Sequence, residues 1–162
     1  MVKEFTNQQY DSVWAEFEAR FRFQPSVSDF PGIVEPPGSR TYALADCSDP
    51  DLDASYDIFR SALREIFPHD ATAYYLDWQH TCYEFSPLND ADSNLITFYP
   101  DGDYAVVLNP SMSDGIFGHP WEASLCFFGD HCLRYFENHP MPAMGKLMRK
   151  TAPPPQNYRE GS

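Results

Sequence analysis

Apolar residues recur at helical spacing near the start of the chain. Thr6 and Gln9 have the spacing of a capping box, which closes the first turn of a helix. The apolar residues that follow at steps of three or four are Tyr10, Val13, Trp14, Phe17 and Phe21. This spacing puts them on one face of a helix, so it predicts a first helix over about residues 7–20.

A second helical pattern lies between two prolines. Asp49 before Pro50 is typical of an N-cap followed by a proline in the first turn. Pro68 ends the pattern, because proline cannot donate the hydrogen bond that a continuing helix needs. The apolar residues with helical spacing in between are Leu52, Tyr56, Phe59, Leu63 and Ile66. A second helix is therefore predicted from Asp49 to the residues before Pro68.

Segments rich in aromatic and aliphatic residues then dominate the chain and are typical of strands. Residues 73–85 contain no Pro or Gly and predict one long central strand, whereas Pro100-Asp101-Gly102 predicts the turn of a hairpin. The strands are predicted over residues 40–45, 73–85, 95–99, 103–108 and 122–128. A last short helix is predicted over residues 131–138.

This order of elements predicts an α+β fold, with the two helices of the N-terminal half packed on a mainly antiparallel sheet. A chain of 162 residues is long enough for one core, and we expect a single acidic domain over residues 1–138. Residues 139–162 are rich in proline and weakly basic, which predicts a flexible tail. The alternative is a segment docked on the core through Met141, Met144, Leu147 and Met148.

The net charge of the chain is -13, and residues 1–138 alone carry 7 basic and 23 acidic side chains, a balance of -16. Such a body repels phosphate backbones and attracts cationic partners, so we expect no nucleic acid and a basic protein as the partner. The sequence contains no apolar run of membrane-spanning length and no apolar signal segment. We therefore expect no membrane contact and a cytoplasmic protein, and the oligomeric state stays open.

Two short blocks place a histidine beside a tryptophan and an acidic residue: residues 77–80, DWQH, and residues 117–122, FGHPWE. Each block combines an imidazole, a carboxylate and a large apolar wall, which together are the ingredients of a pocket. The candidate binding residues are Asp77, Trp78, His80, Tyr83, Asp103, His119, Trp121 and Glu122.

Several chemistries fit these blocks. His80 and His119 could act as acid and base, with Asp77 or Glu122 orienting them. Metal ligation by His80, His119 and Cys82, with one of the two carboxylates, stays open, but the spacing matches no closed zinc pattern and we predict no metal. No glycine loop that could hold a phosphate is present, so we predict no cofactor.

The four cysteines, Cys47, Cys82, Cys126 and Cys132, form no CxxC pair. In a cytosolic chain they are expected to be buried as small apolar residues rather than joined in disulfides. A nucleophilic pair of Cys82 and His119 is the alternative, but it would need an orienting group and an oxyanion hole that the sequence does not locate.

Four stretches carry a resemblance to a known family. They are residues 13–17 with 21–26, residues 76–80 with 82–83, residues 100–104, and residues 115–122. In these motifs and their order the chain resembles the bacterial family of unknown function 2716 over about residues 8–136, a resemblance that implies no settled activity. The late part is also similar to bacterial immunity proteins, which protect a cell from a secreted toxin by plugging its active site.

These observations lead to one hypothesis and one alternative. The hypothesis is a non-enzymatic binding protein of the immunity or inhibitor type, whose acidic surface captures a basic protein such as a toxin. Trp78 or Trp121 would supply the buried centre of that interface. The alternative is a small enzyme or ligand-binding protein with a pocket formed by His80, His119, Asp77 and Glu122.

Overall fold

The computed structural model describes residues 2–67 and 72–153. Within them, the helices are α1 (Asn7–Phe21), α2 (Asp49–Ile66), α3 (Asp90–Ser93) and α4 (Asp130–Asn138). The strands are β1 (Lys3–Glu4), β2 (Arg40–Leu44), β3 (Ala73–Asp77), β4 (Tyr83–Phe85), β5 (Ala105–Leu108), β6 (Gly115–His119), β7 (Ser124–Phe128) and β8 (Met144–Lys150).

The eight strands form one sheet in the order β1-β4-β3-β5-β6-β7-β2-β8, and every neighbouring pair is antiparallel. The sheet carries α1 on one face and both α2 and α4 on the other. On the central strands, Val106 and Phe117 pack with the apolar side of α1, whereas Val107 and Ile116 pack with α2 and α4. Both faces are covered, which explains why β5 and β7 consist of buried residues throughout. The predicted α+β class is confirmed.

The first two predicted helices are confirmed, with one change at a cap. The hydroxyl of Thr6 accepts a hydrogen bond from the backbone N–H of Gln9, as the capping box requires. For α2 the prediction of Asp49 as N-cap was wrong. Ser48 has the extended backbone of a cap, and its hydroxyl accepts from the N–H of Asp51, so Asp49 and Pro50 already belong to the first turn.

The long strand predicted over residues 73–85 is wrong, because the segment folds back on itself as β3 and β4. Gln79 adopts a left-handed conformation with φ of 64°, and the N–H of His80 donates to the carbonyl of Asp77 over 3.1 Å. The two strands then pair with Tyr75 opposite Tyr83. A turn without glycine or proline gives no signal in the composition.

The predicted hairpin around residues 100–102 is also wrong. Residues 95–99 form no strand, and β5 pairs instead with β3 and β6. Ile96 and Phe98 of this segment are buried against α2, with the rings of Phe98 and Phe59 5.2 Å apart. The alternating apolar residues therefore fill the core without joining the sheet.

The segment predicted as a flexible tail contributes an edge strand. β8 pairs with β2, and after it the N–H of Thr151 donates to the carbonyl of Ser39 over 2.9 Å. The start of the tail predicted at residue 139 is therefore corrected, because the chain is docked as far as Thr151. Residues 154–162, the remainder of that prediction, lie outside the described residues. Within the described part of the chain, the helices are too short or too polar to cross a bilayer.

Candidate functional site

Strand pairing brings the two sequence blocks to the same end of the sheet. Asp77, the last residue of β3, lies opposite Ala105 of β5, and Ala105 lies opposite Gly118 of β6. The residues just beyond these positions are therefore neighbours, although they are about forty apart in sequence. The turn after β3, the start of β5 and the turn after β6 all meet there.

Tyr104 is the side chain that joins the two blocks. It is 1% exposed, and its ring centre lies 5.6 Å from that of Trp78, 4.9 Å from that of His119 and 5.4 Å from that of Trp121. Its hydroxyl accepts a hydrogen bond from the backbone N–H of Ser26 over 3.0 Å. We call the cluster formed by Phe30, Trp78, Tyr104, His119 and Trp121 the Tyr104 corner.

A loop after α1 covers this corner and supplies its fifth ring. Phe30 lies edge-on to His119 with ring centres 4.8 Å apart, and the N–H of Gln24 donates to the carbonyl of Gly32 to close the loop. Gly32 has φ of +83°, a conformation that favours glycine. Phe30 and Trp121 remain 43% and 41% exposed, so two large rings of the corner face solvent. An open pocket of about 460 Å³ lies beside Phe30 and Gly32.

His119 is buried and held in one tautomer. The N–H of Glu122 donates to Nδ1 over 3.1 Å, so the ring proton is on Nε2. Nε2 is buried and has no hydrogen-bond partner among the described residues. Burial lowers the pKa of His119, and the positive charge of Arg149 lowers it further against the opposing effect of Glu122. At neutral pH the imidazole is therefore uncharged.

The carboxylate of Glu122 is engaged in a buried ionic network. Arg149 of β8 donates to both of its oxygens over 2.7 and 2.9 Å, and to both oxygens of Glu35 over 2.8 and 3.2 Å. Ser124 donates to Glu122, and Thr41 donates to Glu35. Burial would raise the pKa of Glu122, but the bonds from Arg149 and Ser124 outweigh it and the pKa is lowered. Glu122 thus fixes β8 to the turn after β6.

The other acidic candidates, half-buried Asp77 and Asp103, form a cluster with exposed His80 on the rim of the corner. Nδ1 of His80 lies 2.7 Å from a carboxylate oxygen of Asp103 and 3.2 Å from one of Asp77. Burial is the main cause of a raised pKa at Asp77, and the charge of Asp77 is the main cause of a raised pKa at His80. The imidazole of His80 is therefore exposed, whereas that of His119 is buried.

The contacts of two further residues considered above, Tyr83 and Cys82, do not suit a reactive site. Tyr83 stacks on Tyr75, with ring centres 6.4 Å apart, and Tyr75 packs on the core that includes α2. Cys82 is buried and accepts a hydrogen bond from the indole of Trp14, and burial raises the pKa of its thiol. A protonated buried thiol is a poor nucleophile, which counts against the Cys82–His119 pair.

Sequence reasoning missed three residues of this region. Phe30 lies in a segment for which no helix or strand was predicted, and Arg149 lies in the segment predicted as a tail. Tyr104 was not distinguished from the other tyrosines. For Phe30 the nearest signal is the sequence Phe30-Pro31-Gly32, which restricts the backbone around an aromatic ring. For Arg149 no local signal exists, because its partners lie 27 and 114 residues away.

Comparison with known proteins gives a family and one distant relative. A family model described as protein of unknown function (DUF2716) matches residues 4–133. The uncharacterized protein YxiI of Bacillus subtilis (strain 168) is similar to this chain, with 33% identity over 72 residues. The matched region covers 41% of this chain and 44% of that relative, so the chain spans less than half the length of that relative. No solved structure matches.

Proposed function

This chain belongs to the family of proteins of unknown function DUF2716, and from the geometry of its site we propose that it is a non-enzymatic binding protein of the immunity or inhibitor type. Its partner is a basic protein, and the contact surface is the Tyr104 corner. One observation carries the proposal: both histidine–tryptophan blocks meet at Tyr104 and leave Phe30 and Trp121 exposed beside acidic groups.

The exposed rings have the character of interface anchors. Trp121 and Phe30 each pack on buried His119 on one side and face solvent on the other. Such rings are preordered, so little conformational entropy is lost when a partner covers them. Tryptophan is also enriched among the residues that dominate binding energy. The partner therefore needs an apolar centre that fits between these two rings.

The charge around the corner selects a cationic partner. Around it lie exposed Asp29 and Asp101 and half-buried Asp77 and Asp103, while Arg22 lines the pocket beside Phe30. On the opposite face of the sheet, α2 and the loop before it carry five exposed aspartates, of which Asp57 is paired with Arg60. Asp29 and Asp101 would pair with the rim of a basic partner, whereas the wider negative field would raise the rate of encounter.

The hydrogen bonds that Glu122 and His119 already make also favour a binding role over acid–base catalysis. Glu122 is neutralised by Arg149, and Nδ1 of His119 already accepts a backbone hydrogen bond. Neither group is free to exchange a proton with a substrate without breaking a structural contact. Their role in this proposal is to hold the turn that carries Trp121 in place.

Photo-crosslinking in cells of the source organism tests this proposal. A benzoylphenylalanine residue at position 121 of the full chain would form an adduct with whatever covers Trp121. Position 95 is the matched control, because Leu95 is 71% exposed and its neighbour Ile96 packs on the α2 side of the sheet. The expected result is one adduct at position 121, absent at position 95, with a protein of positive net charge.

The purified partner then has to bind the wild-type chain with an affinity that falls as salt is added. A partner of negative net charge, equal labelling at both positions, or no adduct at position 121 would contradict the proposal. An adduct whose affinity does not depend on salt would contradict the electrostatic part of it.

Small-ligand binding is a second candidate function, and the unpaired Nε2–H of His119 favours it. A buried donor without a partner costs free energy. His119 does not line the pocket beside Gly32, but its Nε2 lies next to Gly32, so a ligand with a hydrogen-bond acceptor would reach Nε2 if the loop of Phe30 and Gly32 moved aside. Titration of carboxylate and amide fragments, followed by the imidazole resonances of His119 in NMR spectra, tests this. Resonances that stay unchanged across the fragments would exclude it.

A further inference from the structure

Asp77, His80 and Asp103 bring one nitrogen and two oxygen ligands together on the rim of the Tyr104 corner, and we propose that they bind a divalent transition-metal ion. One ligand atom from each residue lies within 4.8 Å of the others. The sequence predicted no metal, and the alternative that it left open shared His80 and Asp77 with this site but used Cys82 and His119 instead of Asp103. This inference does not depend on the partner proposal.

The backbone fixes all three ligands. Asp77 is the last residue of β3. Asp103 lies two residues before β5, and β5 pairs with β3. The left-handed conformation of Gln79 and the bond from the His80 N–H to the Asp77 carbonyl turn the imidazole back over the strand end. Residues 26 apart in sequence are thus directed to one point by ordinary strand pairing and one tight turn.

Asp103 is also oriented by a second hydrogen bond, as metal-ligating carboxylates are. Its Oδ1 accepts the backbone N–H of Tyr104 over 2.8 Å, which leaves Oδ2 facing His80. Outer-shell bonds of this kind hold a ligand in place before the metal arrives. Tyr104 itself is buried, so this bond links the proposed metal site to the packing of the corner.

The two carboxylates require a positive charge between them. Asp77 and Asp103 both approach the same nitrogen of His80, and they repel each other when both are ionised. Protonated His80 supplies one positive charge, but a divalent ion supplies two and lets the imidazole bind as a neutral ligand. The site is therefore better neutralised by a metal than by the imidazolium.

The ligand set indicates the class of ion. An imidazole and two carboxylates suit zinc and its neighbours among the first-row transition metals better than they suit Ca²⁺, which takes six to eight oxygens. Tetrahedral zinc holds such ligands about 3.5 Å apart, and a small rotation of the exposed His80 ring would bring its nitrogen to that separation. His80 also lines an open groove, so its imidazole is accessible to water and to ions.

Isothermal titration of the full chain with ZnCl₂ after removal of metals by EDTA tests the proposal. We expect one saturable equivalent of zinc, and binding weakened on the order of 100-fold in His80→Gln and in Asp103→Asn. His131→Gln is the matched control. His131 is as exposed as His80 and lies 3.3 Å from a carboxylate oxygen of Asp114, but it has only that one acidic partner within ion-pair distance among the described residues.

The control variant should bind zinc as the wild type does, within about twofold. All three variants alter exposed or half-exposed side chains, and their urea unfolding curves show whether each is folded. No binding by the wild type below about 1 mM zinc would overturn the proposal. Zinc affinity unchanged in His80→Gln and Asp103→Asn, or lost equally in His131→Gln, would place the metal elsewhere and overturn it as well.

Discussion

Replacement of Arg149 by methionine should destabilise the protein strongly, although this residue lies in a segment whose sequence resembles a tail. The substitution keeps an apolar stem but removes the charge that faces Glu35 and Glu122, whose side chains are 8% and 6% exposed. Buried carboxylates left without their partner cost about 3–5 kcal/mol. Because Arg149 itself is about one-third exposed, we expect the lower end, about 3 kcal/mol.

Urea unfolding at pH 7, followed by circular dichroism, measures this loss. With a slope of about 2 kcal/mol/M for a chain of this size, a loss of about 3 kcal/mol shifts the midpoint by about 1.5 M. Lys150→Met is the control, since Lys150 is the exposed neighbour on the same strand. Its free energy of unfolding should change by less than about 0.5 kcal/mol.

The difference between wild type and Arg149→Met should also depend on pH. The pKa of Glu122 is lowered in the folded wild type, so its contribution to stability is present above the unfolded value of about 4.3 and is lost as the pH falls through the folded value. In the variant Glu122 lacks its cationic partner, so its protonation removes an unpaired buried charge instead of breaking an ion pair. The difference in free energy of unfolding between wild type and Arg149→Met should therefore become smaller below about pH 4.3. The reasoning would be refuted if Arg149→Met lost no more free energy of unfolding than Lys150→Met, or if its loss did not change with pH.

Three further measurements check the corner and the cysteines. Tyr104→Phe should cost about 1 kcal/mol of unfolding free energy, because it removes the bond to the Ser26 N–H and keeps the ring packing; a loss above about 3 kcal/mol would mean that the packing had changed. In an NMR titration of the metal-free chain, His119 should titrate below, and His80 above, the ordinary pKa of about 6.5; the reverse order would contradict the burial of His119 and the pairing of His80 with Asp77. Ellman's reagent should modify half-buried Cys47 in the native protein well before the three buried thiols, and equal rates would contradict their burial.

The helices and the fold class could be predicted because their signals are local. The apolar stripe of α1 and its Thr6 cap lie within one stretch of sequence, and their spacing alone defines the buried face. The helix α4 and the strands β2, β5 and β7 were predicted for the same reason, whereas β6 was not predicted. The cap of α2 was displaced by one residue because Ser48 and Asp49 are both good caps and the sequence does not show which one has the extended backbone.

The errors arose where pairing over long distance decides the structure. The turn at Gln79 exists because β4 pairs back on β3, and a left-handed glutamine is not recognisable from its own residue type. The segment around Phe98 has strand composition but fills a space under α2. Likewise, β8 is held by backbone pairing with β2 and by the bonds of Arg149 to distant carboxylates, rather than by a periodic apolar face.

The site could be predicted as a set of residue types but not as an arrangement. The sequence shows that each block contains a histidine, a tryptophan and an acidic residue. It does not show which of these side chains are buried and paired and which are exposed. His119 is buried and Glu122 is neutralised, while His80 stays on the rim with Asp77 and Asp103. That division depends on Tyr104, which joins the blocks, and on Arg149, which comes from the last strand.

The most direct test of the account is the affinity of the crosslinked partner for Trp121→Ala and for the control Leu95→Ala. If the Tyr104 corner is the contact surface, loss of the Trp121 ring should weaken binding by at least about 2 kcal/mol, or roughly 30-fold, while the fold remains intact. Leu95→Ala should leave the affinity within about twofold of wild type. Unchanged affinity in Trp121→Ala, in a variant shown to be folded, would contradict the claim that this corner binds the partner.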